Sequence, residues 1–226
     1  MLRSDLTLSG QINEDWSYSG MMENIQNMKN FDSEEGEVYW QRAWIDGKLG
    51  GLKVRAGRWQ QVDGSMADAD APNIWNNRMD GVMVTYGKDI KVWGGYAKLD
   101  NDKTNAAHKG KDMWWARLDG NLGAVKATAG YFNVREDADA GDNKIWTIGA
   151  KAQLDKNVAL YAEYLKGDND KNQDNEKVST KGWTAGLTYK GASAKKPGSW
   201  GLNAQYYNLG GGVVIVNGMD YAHLQD

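Results

Sequence analysis

Apolar and polar residues alternate along most of this chain, and one parity stays apolar for a whole segment at a time. In one clear case the apolar positions are Trp200, Leu202, Ala204 and Tyr206. The same pattern recurs in segments 6–12, 146–154, 158–164 and 183–189. A period of two is that of a β-strand with one apolar and one polar face. The pattern therefore predicts an all-β chain.

The connections between these segments alternate in length. Short turns rich in Gly, Asp and Asn fall near residues 13–15, 46–51, 87–90, 119–123, 155–157 and 190–198. Longer polar connections fall near residues 29–36, 60–77, 100–110, 135–143 and 167–177 and after residue 209. The chain then has about twelve strands of ~9 to 13 residues, which is long enough to cross a bilayer when tilted. Short turns at one end and long loops at the other are typical of an up-and-down transmembrane β-barrel.

A β-sandwich or a β-solenoid also alternates, and a soluble sugar-binding module would also be rich in Trp. A sandwich, however, fills its core with large residues from both sheets. The polar parity here holds Thr, Ser, Gly, Lys, Gln and Arg, which suits a water-filled lumen. We predict an antiparallel up-and-down transmembrane β-barrel, formed as a single domain by residues 1–226. A soluble β-rich carbohydrate-binding or surface protein is the alternative.

The alternation also predicts the direction of individual side chains. The residues expected to point outward are Trp146, Ile148, Leu160, Leu187, Trp200 and Leu202. The residues expected to point inward are Thr147, Lys151, Thr188, Asn203 and Gln205. Segment 91–99 has no clear apolar parity.

Segment 38–46 is ambiguous because Trp40, Arg42 and Trp44 share one parity. Arg42 facing lipid at mid-depth would cost ~2 to 4 kcal/mol. We therefore assign Arg42 to the lumen. An unbroken alternation then predicts that Trp40 and Trp44 also point inward.

Composition narrows the range of functions. Charged residues make up 25% of the chain, so no stretch approaches the ~18 to 20 apolar residues of a membrane-spanning helix. A net charge of −3 argues against a nucleic-acid partner. The absence of cysteine excludes disulfides and thiolate metal sites, and two distant histidines argue against zinc or triad chemistry. The chain has eleven Trp and eleven Tyr but only two Phe. Trp and Tyr are favoured where one end of the ring contacts water, as at a membrane interface.

Basic residues on the polar parity are Arg3, Lys53, Arg55, Arg117, Lys126 and Lys151. A water-filled lumen tolerates such charges, which then set ion preference. Glu23 and Glu163 share that parity, so a salt-bridged interior without a transport role is the alternative. Acidic segments 137–142 and 168–172 are expected to be solvated loops, because the second lacks the Gly of a calcium loop. No enzymatic activity, metal or cofactor is predicted.

Residues 1–90 carry the clearest resemblance to a known family. Segment 6–19, followed by 22–24, and segment 39–59 resemble the second and third strands of a sixteen-stranded porin. Gly57 and Arg58 end one strand, and Arg78 opens the next with a Gly-aliphatic-Thr-Tyr pattern, as in that family. The chain resembles the outer-membrane general diffusion porins. The likeness is closest to porins that an S-layer-homology domain tethers to the cell wall.

The resemblance implies a register. If 60–77 is the third extracellular loop, the chain begins on the second strand, and about twelve of sixteen strands are present. We therefore expect a fragment of a longer protein. A bacterial outer-membrane location, a homotrimer and a possible cell-wall tether through an absent domain are further implications.

The resemblance also implies that residues 60–77 fold into the pore and narrow it. This connection carries Asp63, Asp68 and Asp70 and no Lys or Arg. The wall residues expected to face it are Arg42, Lys53, Arg55, Arg58 and Arg78. The predicted function is passive diffusion of small hydrophilic solutes and ions through a water-filled pore, with lipid and these solutes as the partners.

Overall fold

The chain folds into one antiparallel β-sheet. The structure is a computed structural model and describes residues 2–26, 38–60, 74–75, 78–99, 112–135, 142–171, 177–193 and 195–214. Its twelve strands lie side by side in chain order, with β1 and β12 at the two edges of the described sheet. The strands are β1 (Leu2–Gln11), β2 (Trp16–Gln26), β3 (Val38–Leu49), β4 (Leu52–Gln60), β5 (Arg78–Gly87), β6 (Ile90–Leu99), β7 (Asp112–Leu122), β8 (Val125–Arg135), β9 (Asp142–Gln153), β10 (Val158–Gly167), β11 (Lys181–Lys190) and β12 (Gly201–Leu209). The predicted up-and-down order and the strand count are confirmed.

Connections alternate between short turns and longer segments, as the sequence predicts. A two-residue hairpin joins β3 to β4 through Gly50 and Gly51, and Leu49 pairs directly with Leu52. Both glycines have positive φ, 55° and 87°. Two central residues with positive φ characterise a type I′ turn, whose twist matches that of the flanking strands. The short turns all lie at one end of the strands, which we call the short-turn end.

The two faces of the sheet differ as the alternation predicts. Trp146 and Ile148 are 60% and 63% exposed, whereas Thr147 between them is buried. Residues paired across antiparallel strands point to the same side. Leu160 pairs with Leu187, and Thr188 pairs with Asn203, so each set shares one face. We call the apolar, exposed side the outer face and the opposite side the inner face.

Aromatic rings lie at two levels of the outer face. Trp114, Tyr131 and Trp146 form a chain of tilted contacts near the long-loop end, with centroid separations of 5.0 and 4.4 Å. Tyr189 and Trp200 are 5.6 Å apart near the short-turn end. Smaller apolar residues lie between the two levels. Outer-membrane barrels place aromatic girdles at their two membrane interfaces in this way.

A buried apolar cluster covers the inner face near the long-loop end. It combines inward residues of β4 to β10 and β12 with two short segments that fold onto that face, residues 74–75 and a 3₁₀ turn (Gly211–Val213). Its largest fully buried side chains are Trp59, Ile74, Trp75, Met79, Met113, Phe132, Ile145 and Leu165. No helix among the described residues is long and apolar enough to span a membrane.

The alternation breaks once, between β2 and β3. Met21 pairs with Arg42 and Met22 pairs with Trp40, so Gln41 is an extra residue and forms a β-bulge. The bulge lets Arg42 lie on the inner face while Trp40, 51% exposed, lies on the outer face. The prediction that Trp40 points inward with Arg42 is therefore wrong, because it assumed an unbroken strand.

Adjacent residues of β11 offer a test of the two faces. Replacing the outer residue, Leu187→Arg, should lower the free energy of unfolding by ~2 to 4 kcal/mol, because the charge enters lipid near mid-depth. Replacing its inner neighbour, Thr188→Arg, should have a much smaller effect. Reversible denaturant unfolding in lipid vesicles measures both values. Equal losses would contradict the assignment of the faces.

Candidate functional site

Charge on the inner face is concentrated on the hairpin of β3 and β4. The register pairs Asp46 with Arg55 and Lys48 with Lys53. Arg42 lies nearer the long-loop end of β3, where its Nε donates to Gln41 Oε1 at 2.7 Å. We call Arg42, Lys48, Lys53 and Arg55 the hairpin basic patch. Its residues come from the alternate positions of two adjacent strands, which is why the sequence parity could identify Lys53 and Arg55.

Arg55 is held by two side chains of β3. Its Nε and Nη2 donate to the two Asp46 carboxylate oxygens at 2.7 and 3.0 Å. Trp44 Nε1 donates to the same carboxylate at 2.9 Å, and Arg55 Cζ lies 5.2 Å from the Trp44 ring centroid. Bidentate pairing and a cation–π contact both fix the orientation of a guanidinium. The Arg55 side chain is still 32% exposed, so its charge remains accessible from the lumen.

The same arrangement recurs on β6 and β7. Arg117 Nε donates to Asp119 at 2.8 Å, and Trp93 Nε1 donates to that carboxylate at 2.8 Å. Arg117 Cζ is again 5.2 Å from the ring centroid of the tryptophan. Thr128, the cross-strand partner of Asp119, adds a third hydrogen bond at 2.6 Å. This second Trp–Asp–Arg clamp is buried, since the Arg117 side chain is only 3% exposed.

A third polar cluster joins β1, β2 and β3 around Glu23. Arg3 Nη2 lies 2.5 Å from Glu23 Oε2, and the Tyr39 hydroxyl donates to the other carboxylate oxygen. Glu23 is almost completely buried, so these contacts compensate its charge. Arg78, the first residue of β5, hydrogen-bonds the Tyr39 hydroxyl. Because the next residue, Met79, points inward and is buried, the backbone position of Arg78 has the outer parity, and only its side chain reaches this cluster near the long-loop end.

Further basic residues lie on the inner face of β8 and β9. Lys126 pairs directly with Lys151, and Lys151 pairs with Tyr161 of β10. Glu163 follows two residues later on the same face of β10 and is buried. The inner face is therefore a polar and charged wall below the apolar cluster. Its fixed charges can attract or repel a passing solute without any chemical step.

A family model described as Gram-negative porin matches residues 46–194. The chain belongs to the Gram-negative porin family. It is a bacterial outer-membrane protein, and the function is passive diffusion of small hydrophilic solutes and ions. The soluble carbohydrate-binding alternative is not supported. No curated protein matches this porin.

Solved structures with TM-scores above 0.5 share the fold of the porin. A variant of the Rhodopseudomonas blastica porin is 12% identical, with a TM-score of 0.56, over 91% of this chain and 73% of that one. A second variant of the same protein is 11% identical, with a TM-score of 0.55 and the same coverage. The outer membrane channel DcaP of Acinetobacter baumannii is 16% identical, with a TM-score of 0.49, over 91% of this chain and 66% of that one.

Arg58 does not lie where the resemblance implied. It forms a bidentate ion pair with Asp80 at 2.8 and 2.6 Å on the outer face of the porin. The next residue, Trp59, points inward and is buried, so Arg58 must point outward. The assignment of Arg58 to the pore wall is therefore wrong. Its side chain belongs to a charged outer row near the long-loop end that also contains Asp80, Lys98, Asp112 and Arg135.

The predicted loop acids Asp63, Asp68 and Asp70 lie outside the described residues. The described end of their connection, Ile74 and Trp75, packs in the inner apolar cluster. The alternation of apolar and polar residues does not predict a role for these two residues. The available signal was an apolar pair at the end of an otherwise polar connection.

The two clamps predict unequal effects of removing the carboxylate charge. Asp119→Asn should destabilise the porin by about 3 kcal/mol, because it leaves a buried guanidinium without its ion pair. Asp46→Asn should cost about 1 kcal/mol or less, because both partners of that pair are partly exposed. Unfolding in lipid vesicles compares the two matched variants. A larger loss for Asp46→Asn would contradict the difference in burial.

Proposed function

We propose that the connection 61–77 folds across the lumen and narrows the pore beside the hairpin basic patch. The observation that supports this most strongly is the burial of its described end. Ile74 and Trp75 are 1% and 0% exposed within the apolar cluster of the inner face. A loop that only covered the pore mouth would not bury two large side chains in the apolar cluster of the inner face. The acidic residues of this connection would then face the lumen.

In this proposal the pore is narrowed between charges of opposite sign. Asp63, Asp68 and Asp70 provide the acidic side, and Arg42, Lys53 and Arg55 provide the basic side. Charges across a narrow gap are poorly screened, so the field there orients dipolar solutes and disfavours apolar ones. The Trp–Asp–Arg clamp around Arg55 supports this role because it holds the guanidinium in place while leaving it partly exposed.

The wall by itself favours anions. Basic residues outnumber acidic ones on the described inner face. The basic ones include Arg3, Arg42, Lys48, Lys53, Lys91, Arg55, Arg117, Lys126 and Lys151, and the acidic ones are Asp5, Glu23, Asp46, Asp119 and Glu163. The acids of the connection 61–77 would oppose this bias. The net ion preference of the pore would then depend on those three aspartates.

Neutralising the three loop acids tests the proposal. The variant Asp63→Asn, Asp68→Asn, Asp70→Asn should shift ion selectivity toward anions, because the basic wall would no longer be opposed. The reversal potential under a KCl gradient across a planar bilayer measures the shift. The control is Asp32→Asn, Glu34→Gln, Glu35→Gln, which removes three acids from the preceding long connection. An unchanged reversal potential in the first variant, or equal shifts in both, would contradict a constriction formed by residues 61–77.

The remaining implications of the resemblance are also proposals. We propose a homotrimer, which chemical cross-linking in native outer membranes would reveal. A cell-wall tether through an S-layer-homology domain rests on the resemblance alone. That the chain forms part of a sixteen-stranded barrel stays a prediction. It is supported by the two edges of the described sheet, because an unpaired edge in lipid costs several kcal/mol for each unsatisfied backbone group.

A further inference from the structure

Two lysines face each other across the β3–β4 hairpin on the inner face. Lys48 and Lys53 are direct partners in the antiparallel register. Within the described part of the chain, neither ammonium group has an ion-pair or hydrogen-bond partner. Directly opposed like charges destabilise a sheet. An anion that binds between the two ammonium groups would remove this repulsion.

The surroundings of the lysine pair suit an oxyanion. Lys48 and Lys53 line a hollow at the short-turn end of the inner face, together with the hydrogen-bonding side chains of Gln11, Ser17 and Thr85. Glu14 and Asp15 line the same hollow but form no ion pair with either lysine in this part of the structure. A small ligand with several acceptor oxygens could therefore contact both ammonium groups and neutral donors at once.

Arg55 adds a third cation to the hollow. It lies two residues from Lys53 on the same face of β4. Asp46 occupies its Nε and Nη2, which leaves Nη1 for a ligand. Because Asp46 is already bound to Arg55 and to Trp44, it does not neutralise the lysine pair. Lys48 and Lys53 are therefore the cations of the hollow that have no ion-pair partner among the described residues, although Glu14 and Asp15 line the same hollow.

Another lysine pair provides a contrast. Lys166 and Lys181 are also direct register partners, but they lie on the outer face near the long-loop end. Lys166 Nζ donates to Thr180 Oγ1 at 2.5 Å. Like Lys48 and Lys53, these two lysines are directly opposite each other on antiparallel strands, but they lie on the side of the sheet away from the lumen.

We propose that Lys48, Lys53 and Arg55 form a binding subsite for small oxyanions at the short-turn end of the pore. The ligand class is a compact solute with a doubly charged oxyanion group, for which inorganic phosphate is the probe. The proposal rests on the porin function, since it needs a water-filled inner face. It shares Lys53 and Arg55 with the basic side of the proposed constriction but does not require residues 61–77 to fold into the lumen. The subsite would concentrate such solutes at this end of the lumen.

Phosphate block of single-channel KCl current tests the subsite. Phosphate added on the side of the short turns should reduce the chloride current of the wild-type porin in a saturable way. The double variant Lys48→Gln, Lys53→Gln should weaken the apparent phosphate affinity at least about tenfold, because it removes two charge-assisted contacts. The control Lys166→Gln, Lys181→Gln should keep the wild-type affinity.

The outcomes separate this proposal from the porin function. Retained KCl conductance with no saturable phosphate block in the wild type would overturn the subsite and leave the porin function intact. Equal loss of affinity in the two double variants would also overturn it, because it would indicate a general charge effect. If the double variant fails to fold, Lys53→Gln and Lys53→Arg replace it. Lys53→Arg should retain the block and Lys53→Gln should weaken it, and equal affinities in these two variants would overturn the subsite.

Discussion

The rest of this structure depends on the pairing of backbone groups between strands that cross a bilayer. In lipid each N–H and C=O must find its partner within the sheet, while successive side chains point to two different solvents. The described part of the chain meets both demands between neighbouring strands, since its twelve antiparallel strands pair in sequence order. Only the outer edges of β1 and β12 lack a partner strand among the described residues. The bulge at Gln41, opposite Met21 and Met22, keeps Trp40 toward lipid and Arg42 toward water without ending either strand.

The same constraint determines where charge can be used. Charge is costly on the lipid side except near the membrane interfaces, where the ion pair of Arg58 and Asp80 lies. Elsewhere the charged residues lie on the inner face, and the burial of each side chain determines how far its charge is exposed to the lumen. The two Trp–Asp–Arg clamps illustrate this, because they combine the same three residue types but differ in burial. Arg55 remains available to a solute, whereas Arg117 is enclosed in the wall.

The sequence predicts what depends on a period of two, and it fails where other factors intervene. The strand order and the opposite directions of Thr147 and Ile148 follow from local alternation. The bulge at Gln41 depends on the register with β2, which no local signal marks. Arg58 lies near a strand end, so its direction is predicted from the family resemblance and not from the alternation. That prediction puts Arg58 on the inner face, whereas it lies on the outer face. The second clamp and the burial of Trp75 depend on contacts between segments distant in sequence, which a single sequence does not specify.

The central claim is that the inner face lines a water-filled pore, and cysteine accessibility tests it most directly. The chain contains no cysteine, so each introduced thiol is the sole site of reaction. Two pairs of sequence neighbours are suitable positions for the cysteines. Lys151 and Thr188 lie on the inner face, and their neighbours Ala150 and Leu187 lie on the outer face. A charged, membrane-impermeant thiol reagent should modify Lys151→Cys and Thr188→Cys and reduce the conductance of the open pore, and it should leave Ala150→Cys and Leu187→Cys unmodified. Equal reactivity at both parities, or modification of the inner positions without any change in conductance, would contradict the claim.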